Sequence, residues 1–485
     1  MTAAPRGSAG GRLPDGFCVR LLPSVRSRDD GTALMGGELG SVLYLKPLAV
    51  SLLAGTDVVE VADAASATLC RLLLNRGFAA PWWSHSAGPD DAVTNVTVVI
   101  PVRDRPAGLA RLLAALPSAA PVIVVDDRSD DAAVCAEVAT SHGAALHRHA
   151  VSRGPAAARN TGLAAVSTPF VVFVDSDVVP VGGCLAGLRR HFDDPAVALV
   201  GPRVLGLEPG ADDSWISRYE ALNSALDLGP TPAGVRPHGR VSYLSSACLA
   251  GRVAALGVGF DASLRVAEDV DLIWRTAAAG WRVRYEPDSV VRHEHRTTLL
   301  GWLGRKAFYG TGASLLAQRH GAAVAPMVLT PWAAALALSL LAQRRWSLPV
   351  VAVLCAVTTL QIRRRLSHSQ RPLTTAAGLT LRGAHATLRQ TSSALTRHYW
   401  PLAVAAALRS RRARHALLVA AVLDAALEHR RRAPDLDPLR YLVARRLDDL
   451  AYGAGLWLGA ARTRSPRALL PSLHPTRPRT TTPNS

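Results

Sequence analysis

PFVVFVDSD, residues 169–177, is a run of five apolar residues, Phe170 to Val174, closed by two carboxylates, Asp175 and Asp177. An unbroken apolar run of this length reads as a strand buried on both faces, as in a parallel sheet. Two upstream runs repeat the pattern. VTVVIPV (96–102) leads into Arg103, and PVIVVDD (121–127) ends on Asp126 and Asp127. Helical stretches alternate with these strands: GLARLLAAL (108–116), AVCAEVATSHG (133–143) and GPAAARNTGLAAV (154–166). AALHRHA (144–150) reads as a short strand. The alternation predicts an α/β domain with a parallel sheet covered by helices on both faces. Ligands of such sheets bind beyond the carboxyl ends of the strands, and the acidic pairs fall there.

The chemistry of each motif follows from its residue types. Asp126, Asp127 and Ser129 end a strand and can accept from a uracil imide or ribose hydroxyls, or simply cap a loop. Asp175 and Asp177 can hold one hard divalent cation through oxygen and leave room for phosphate and water. Gly154 and Pro155 start a helix that carries Arg159 toward a diphosphate. Asp261, Glu268, Asp269 and Asp271 crowd four acids into eleven residues beside Phe260, Leu272 and Trp274. A carboxylate buried beside another has a raised pKa and can act as a general base. The alternative is an acidic helix start favoured by the dipole. His293 and His295 follow a strand-like stretch, and His293 is a candidate further metal ligand.

VIPVRDR, VVDDRSD, GPAAARNTG, VDSD, GFD and AEDVD, in this order over roughly 95–320, resemble the inverting family 2 glycosyltransferases. The resemblance implies a GT-A, Rossmann-like core and hexosyl transfer from a nucleotide sugar. It implies nucleotide contacts at Pro101, Arg103 and Asp127, with Asp126 beside them, and at Arg159 and Asn160. It implies that Asp175 and Asp177 meet the diphosphate with Mg²⁺ or Mn²⁺. Asp269 is the implied catalytic base, with Glu268 a second candidate. Two departures stand out. Gly257-Val258-Gly259 precedes Phe260 where the family often has Gly-Gly, and no clean Gln-x-x-Arg-Trp follows, although Arg305 stands in a related place.

Length and composition frame the rest. The 485 residues allow two or three domains at about 150 residues each. A chain 49% hydrophobic and 19% charged builds a core and is not disordered. The six cysteines are widely spaced, which suggests neither a zinc site nor a disulfide framework. The net charge of +18 lies wholly after residue 320, where 24 Arg face six acids; the first 320 residues are neutral. A basic, apolar tail predicts an anionic membrane surface as partner. No nucleic-acid module is recognisable, so nucleic acid is not expected. The runs 321–343 and 346–362 carry no charge and predict an apolar membrane-associated hairpin, with amphipathic helices after it. A buried hairpin of a soluble domain is the bland alternative.

Residues 1–85 read as short strands followed by helices, a small winged-helix-like module. It resembles the peptide-recognition domains of ribosomal natural-product pathways. The predicted organisation is therefore a module at 1–85, the catalytic domain at 95–320, a hairpin at 321–365 and a basic helical tail at 366–485. The opening residues are polar and Gly-rich, which argues for a reducing cytosol. The expected location is the cytoplasmic face of the cell membrane, with the number of passes left open. This layout, with VRPHGRVSYLSSACL, LRVAEDVDLIWR, GWRVRYEP and YGTGASLLAQRH, is similar to the mycofactocin-biosynthesis glycosyltransferases. The likeness implies transfer of glucose units, from UDP-glucose, to premycofactocin, with the precursor peptide or its chaperone as a further partner. The rivals are a membrane-associated transferase that builds a cell-wall polysaccharide or glycolipid, and a nucleotide-sensing scaffold without catalysis.

Overall fold

The computed structural model describes residues 11–85, 93, 95–207, 214–294, 298–366, 369–432 and 435–473. His295 lies outside them. The chain forms two compact units, Met1–Arg296 and Thr297–Ser485.

The first unit opens with a small module. Its elements are β1 (Cys18–Leu21), β2 (Arg26–Arg28), β3 (Ala33–Gly36), β4 (Ser41–Tyr44), α1 (Pro47–Leu52), β5 (Val58–Glu60), α2 (Ala64–Arg76) and β6 (Ala79–Trp82). Strands β5-β1-β6 and β2-β3-β4 form two antiparallel sheets. Asp63 caps α2 by accepting from the Ser66 N–H, and Leu69, Cys70 and Leu73 bury its inner face. The strands are interleaved with the two helices, where the sequence suggested strands first and helices after.

The α/β part of this unit follows. It runs β7 (Val96–Val102), α3 (Pro106–Ala114), β8 (Val122–Asp126), α4 (Ala132–Ser141), β9 (Ala145–Arg148), α5 (Pro155–Ala165), β10 (Phe170–Val174), β11 (Val178–Pro180) and α6 (Cys184–Arg190). Then come β12 (Val197–Gly206), α7 (Trp215–Asn223), β13 (Ala233–Gly234), β14 (Cys248–Arg252), α8 (Glu268–Ala278) and β15 (Arg282–His293). Every residue of β7 is buried, because β10 and β8 pair on its two sides and helices cover its faces. Val98, Ile100, Leu109, Leu112, Val124 and Val174 are the centre of the core. Prolines at the first helical position start α3 and α5.

The sheet is nine-stranded and mixed, which corrects the expectation of a purely parallel one. Its order is β11-β15-β12-β14-β10-β7-β8-β9, with β13 beside β15. Strands β9, β8, β7 and β10 are parallel, but β14 runs antiparallel between β10 and β12, and β11 antiparallel to β15. CLAGR of β14 is short and holds a glycine and an arginine, so no apolar run marked it as a central strand.

The second unit is helical: α9 (Leu299–His320), β16 (Val328–Leu329), α10 (Pro331–Ala342), α11 (Ser347–Arg365), α12 (Pro372–Ser393), α13 (Trp400–Arg409), α14 (Arg411–Arg432), α15 (Pro438–Arg462) and β17 (Ser472–Leu473). Pro331 starts α10 and does not break it, so the uncharged run 321–343 becomes one short helix after a turn. Among the described residues one helix, α11, is long and apolar enough to cross a membrane, and little of it is buried. Asp448 and Asp449 on α15 are buried with Lys306, and the partly buried Arg397 pairs with both acids. Lys306 Nζ lies 3.0 Å from Asp448, and Arg397 lies 3.4 and 3.1 Å from the two acids. Arg445 and Arg446 close on Asp424 at 2.7 and 2.8 Å. Glu428 is buried as well and pairs with Arg432 at 2.7 Å, so four of the tail's six acids turn inward.

Candidate active site

Strands β7, β8 and β10 are parallel neighbours, so their carboxyl ends open on one edge of the sheet, and the motifs gather there in three linked clusters. The first surrounds β8. Asp126 and Asp127 are both buried. Asp126 accepts from the Ser129 N–H at 2.8 Å and pairs with Arg148 at the end of β9. Asp127 accepts from the N–H groups of Arg153 and Gly154, both at 2.8 Å, and from the Ser152 hydroxyl at 2.8 Å, and lies 2.7 Å from His149 Nδ1. Burial works to raise its pKa, but these contacts prevail and hold it below the usual carboxylate range. The two acids thus shape the loop 149–154 that leads into α5. Arg103 reaches the same loop, donating to Ser152 Oγ at 3.0 Å, and its side chain is half exposed. Pro101 is buried inside β7 opposite Val125.

The second cluster is centred on Arg159, in the second turn of α5. Its guanidinium is buried. It donates to Asp175 Oδ1 at 2.6 Å and to Glu268 Oε1 at 3.1 Å, and lies over the Phe260 ring at 5.3 Å. Asn160 faces the chain rather than a cleft: its amide donates to Phe260 O at 2.7 Å and its oxygen accepts from Phe260 N–H at 2.8 Å. This pins the Gly259-Phe260 turn. Gly259 has φ +71°, and a Cβ there would run into Asn160 Oδ1, so only glycine fits. Arg275 ties the same turn to α8, donating to Gly259 O at 2.8 Å and to Asp271 at 2.7 Å.

Helix α8 starts with Glu268, Asp269 and Asp271 in its first turn, after Ala267 at φ 63°. A left-handed alanine costs roughly 1–2 kcal/mol, a strain typical of functional turns. Asp269 accepts from the N–H groups of Ser246 at 3.1 Å and Val270 at 2.8 Å. Burial first, and the neighbouring Glu268 second, push its pKa up to about 7.

The third cluster is Asp177, flanked by Arg105 at 3.5 Å and His293 Nε2 at 3.8 Å; Arg105 also approaches Glu294 at 3.7 Å. Burial first, opposed by Arg159, and then the negative charge of Asp177 raise the pKa of Asp175. Asp175 and Asp177 are a fitting pair of carboxylates for one hard divalent ion. Among the described residues no three His, Cys, Asp or Glu side chains form a complete metal cage. Mg²⁺ and Mn²⁺ keep water and phosphate ligands beside one or two carboxylates.

All the expected residues except Pro101 thus present polar groups near these strand ends. Arg105, Arg148, His149 and Ser246 were missed. Arg105 sits in the quoted VIPVRDR, but Arg148, His149 and Ser246 carry no local signal beyond lying after strands or turns.

A family model for glycosyl transferase family 2 matches residues 97–256. The pre-mycofactocin glycosyltransferase of Mycobacterium tuberculosis (strain ATCC 25618 / H37Rv) is 44% identical over 475 residues, covering 95% of this chain and 99% of that protein. A succinoglycan biosynthesis protein of Rhizobium meliloti (strain 1021) is 29% identical over 205 residues, 40% of this chain and 60% of its own length. A mannosyltransferase from Pyrobaculum calidifontis, solved with GDP-Man and Mn²⁺, aligns with 76% of this chain and 90% of its own, at 20% identity and a TM-score of 0.37. With the family 2 core matched and the likeness to the mycobacterial protein running nearly end to end, the chain belongs to the family 2 glycosyltransferases of the GT-A fold and, among them, to the pre-mycofactocin glycosyltransferases.

Proposed function

We propose that the enzyme transfers glucose units from UDP-glucose to premycofactocin, inverting the anomeric carbon and building an oligoglycosylated product. One observation carries the chemistry: Asp269, with its pKa near 7, stands on the same strand-end edge as the acids Asp175 and Asp177, to which Glu268 and Arg159 link it. The acceptor hydroxyl oxygen attacks C1 of the sugar from the face opposite the diphosphate. The bond from C1 to the phosphate oxygen breaks, and UDP leaves with its electron pair. Asp269 takes the hydroxyl proton, and a pKa near the working pH suits a general base. Asp175 and Asp177, with His293, would hold Mg²⁺ or Mn²⁺, which supplies positive charge against the diphosphate leaving group. The Asp127 loop and Arg103 would meet the nucleoside.

The acceptor is supported by the name of the mycobacterial relative, and the glucosyl donor by the resemblance of the motifs. Residues 1–85 are read as the peptide-recognition module, for the precursor peptide or its chaperone. The region after residue 320 is read as lying on the cytoplasmic face of the membrane. Leu348, Val353, Leu381, Leu408 and Val422 support this, being exposed apolar side chains in an arginine-rich region.

Titration with UDP and Mn²⁺, paired with initial rates, tests the catalytic reading. Asp177→Ala is expected to lose metal-dependent UDP affinity. Asp269→Asn is expected to keep that affinity and lose about 10²–10⁴ in turnover. If Asp269→Asn loses UDP affinity as badly as Asp177→Ala, Asp269 is not the base.

A further inference from the structure

The structure assigns Arg159 a positioning role: it acts through Glu268 and Asp175, not on the nucleotide, and it leaves Asp269 as the acid that exchanges the acceptor proton. This rests on the reading of Asp269 as the base. The geometry is specific. Arg159 is 2% exposed, and its two terminal nitrogens are engaged by carboxylates on different elements, Asp175 at the end of β10 and Glu268 at the start of α8. The Phe260 ring lies against the guanidinium carbon at 5.3 Å, and Nε has no hydrogen-bond partner. No face of this cation is open toward a diphosphate, although the motif around it implies a nucleotide contact.

The charges facing Asp269 show what the arrangement does. Glu268 stands next to it on α8, and the N–H groups of Ser246 and Val270 hold its two oxygens. Arg159 faces it from α5, with Asp175 on the far side of the guanidinium. Asp271 on the same helix is neutralised by Arg275 at 2.7 Å. By pairing with Glu268 at 3.1 Å, Arg159 holds that acid in place beside Asp269. Glu268 in turn raises Asp269, while Arg159 limits the rise. The same guanidinium fixes Asp175 Oδ1, so one residue sets the donor-side acid and the acceptor-side base together.

The test is the pH profile and the kcat/KM separation of Arg159→Met, Arg159→Lys and Glu268→Gln in the full chain, with Asp269→Asn alongside. Arg159→Met is expected to lower kcat about 10²-fold or more while KM for UDP-glucose changes little. It is also expected to move the rising limb of kcat up by about one pH unit, because a cation beside Asp269 is gone. Arg159→Lys is expected to fall between, and added guanidinium to restore part of the Arg159→Met rate. Glu268→Gln is expected to move the limb the opposite way, to lower pH; this holds the test open if Arg159→Met folds poorly. A large rise in KM for UDP-glucose with kcat retained, or limbs unmoved in both Arg159→Met and Glu268→Gln, overturns the proposal. If Asp269→Asn keeps full turnover while the limbs still move in opposite directions, the base assignment fails and the positioning by Arg159 stands.

Discussion

Asp269 carries a stability cost along with its chemistry. Its folded pKa, about 7, lies above the ordinary value of about 3.9 for an unfolded Asp. Folding therefore disfavours its ionised form. The penalty is absent below about pH 4, where the group is protonated in both states, and grows as pH rises toward 7. Asp269→Asn is expected to melt at a higher temperature than the wild type at pH 7–8, with the difference vanishing near pH 4, in a calorimetric pH series. The same pKa shapes the rate. A base must be deprotonated, so wild-type kcat/KM is expected to rise through about pH 7 to a plateau, and the residual rate of Asp269→Asn is expected to lack that limb. Glu268 beside it has a different partner, the Arg159 guanidinium at 3.1 Å. Two adjacent carboxylates are thus pushed apart in role by their partners.

Helices α9 and α15 approach so closely that glycine is required at their crossing. A Cβ on Gly455 would run into the Ala307 carbonyl, and one on Gly310 into that of Tyr452. The buried pair of Lys306 and Asp448 joins the same two helices, and the Arg397 guanidinium stacks on Tyr452 at 4.0 Å. Gly455→Ala is expected to push the helices apart at a cost of about 1–3 kcal/mol, the usual range for overpacking. Hydrogen exchange is the measurement: α9 and α15 should lose protection while β7, β8 and β10 keep theirs. Gly310 stands beside Gly312, and Gly455 between Gly453 and Gly459, so small residues mark both helices, but only the packed structure shows that the two helices meet there.

The small N-terminal module belongs to the same compact unit as the catalytic sheet. Arg71 of α2 grips Asp194 with both terminal nitrogens, at 2.7 and 2.9 Å, and Asp194 is fully buried. Glu38 accepts from the Gly234 N–H at 2.8 Å. Arg71→Ala leaves a buried carboxylate with Arg284 at 4.0 Å as its remaining cation, and is expected to cost about 3 kcal/mol by urea unfolding at pH 7. Burial alone would raise the pKa of Asp194, but Arg71 and Arg284 hold it below the usual value. Its contribution is present above about pH 4 and is lost as pH falls further, so wild type and Arg71→Ala should converge in acid. In the second unit, Asp424, Glu428, Asp448 and Asp449 face inward with the basic side chains that pair with them, and the tail's remaining arginines are left for the outer surface. The whole chain is expected to sediment with anionic vesicles. Salt should release a surface-bound chain, since screening shortens to about 3 Å at 1 M, and should not release a spanning one.

The apolar runs at 96–102, 121–127 and 169–177 were enough to establish an α/β core and the edge on which its acids lie. A strand buried on both faces must be apolar throughout, and that constraint is local. The order of the acidic motifs carried the family, and the arginine-rich, alanine- and leucine-rich tail announced a helical region. Tertiary structure alone decided which charges meet. Arg159 joins Asp175, 16 positions away, to Glu268, 109 positions away; Asn160 holds Phe260 across 100 positions, and Arg71 finds Asp194 across 123. Tertiary structure also inserted β14 antiparallel into the sheet and turned four tail acids inward. An ion pair depends on distance and burial in space, which helix and strand periodicity do not encode. The residues of the site could therefore be named from the chain, while the partner that sets the charge of each emerged only when the strands and helices packed.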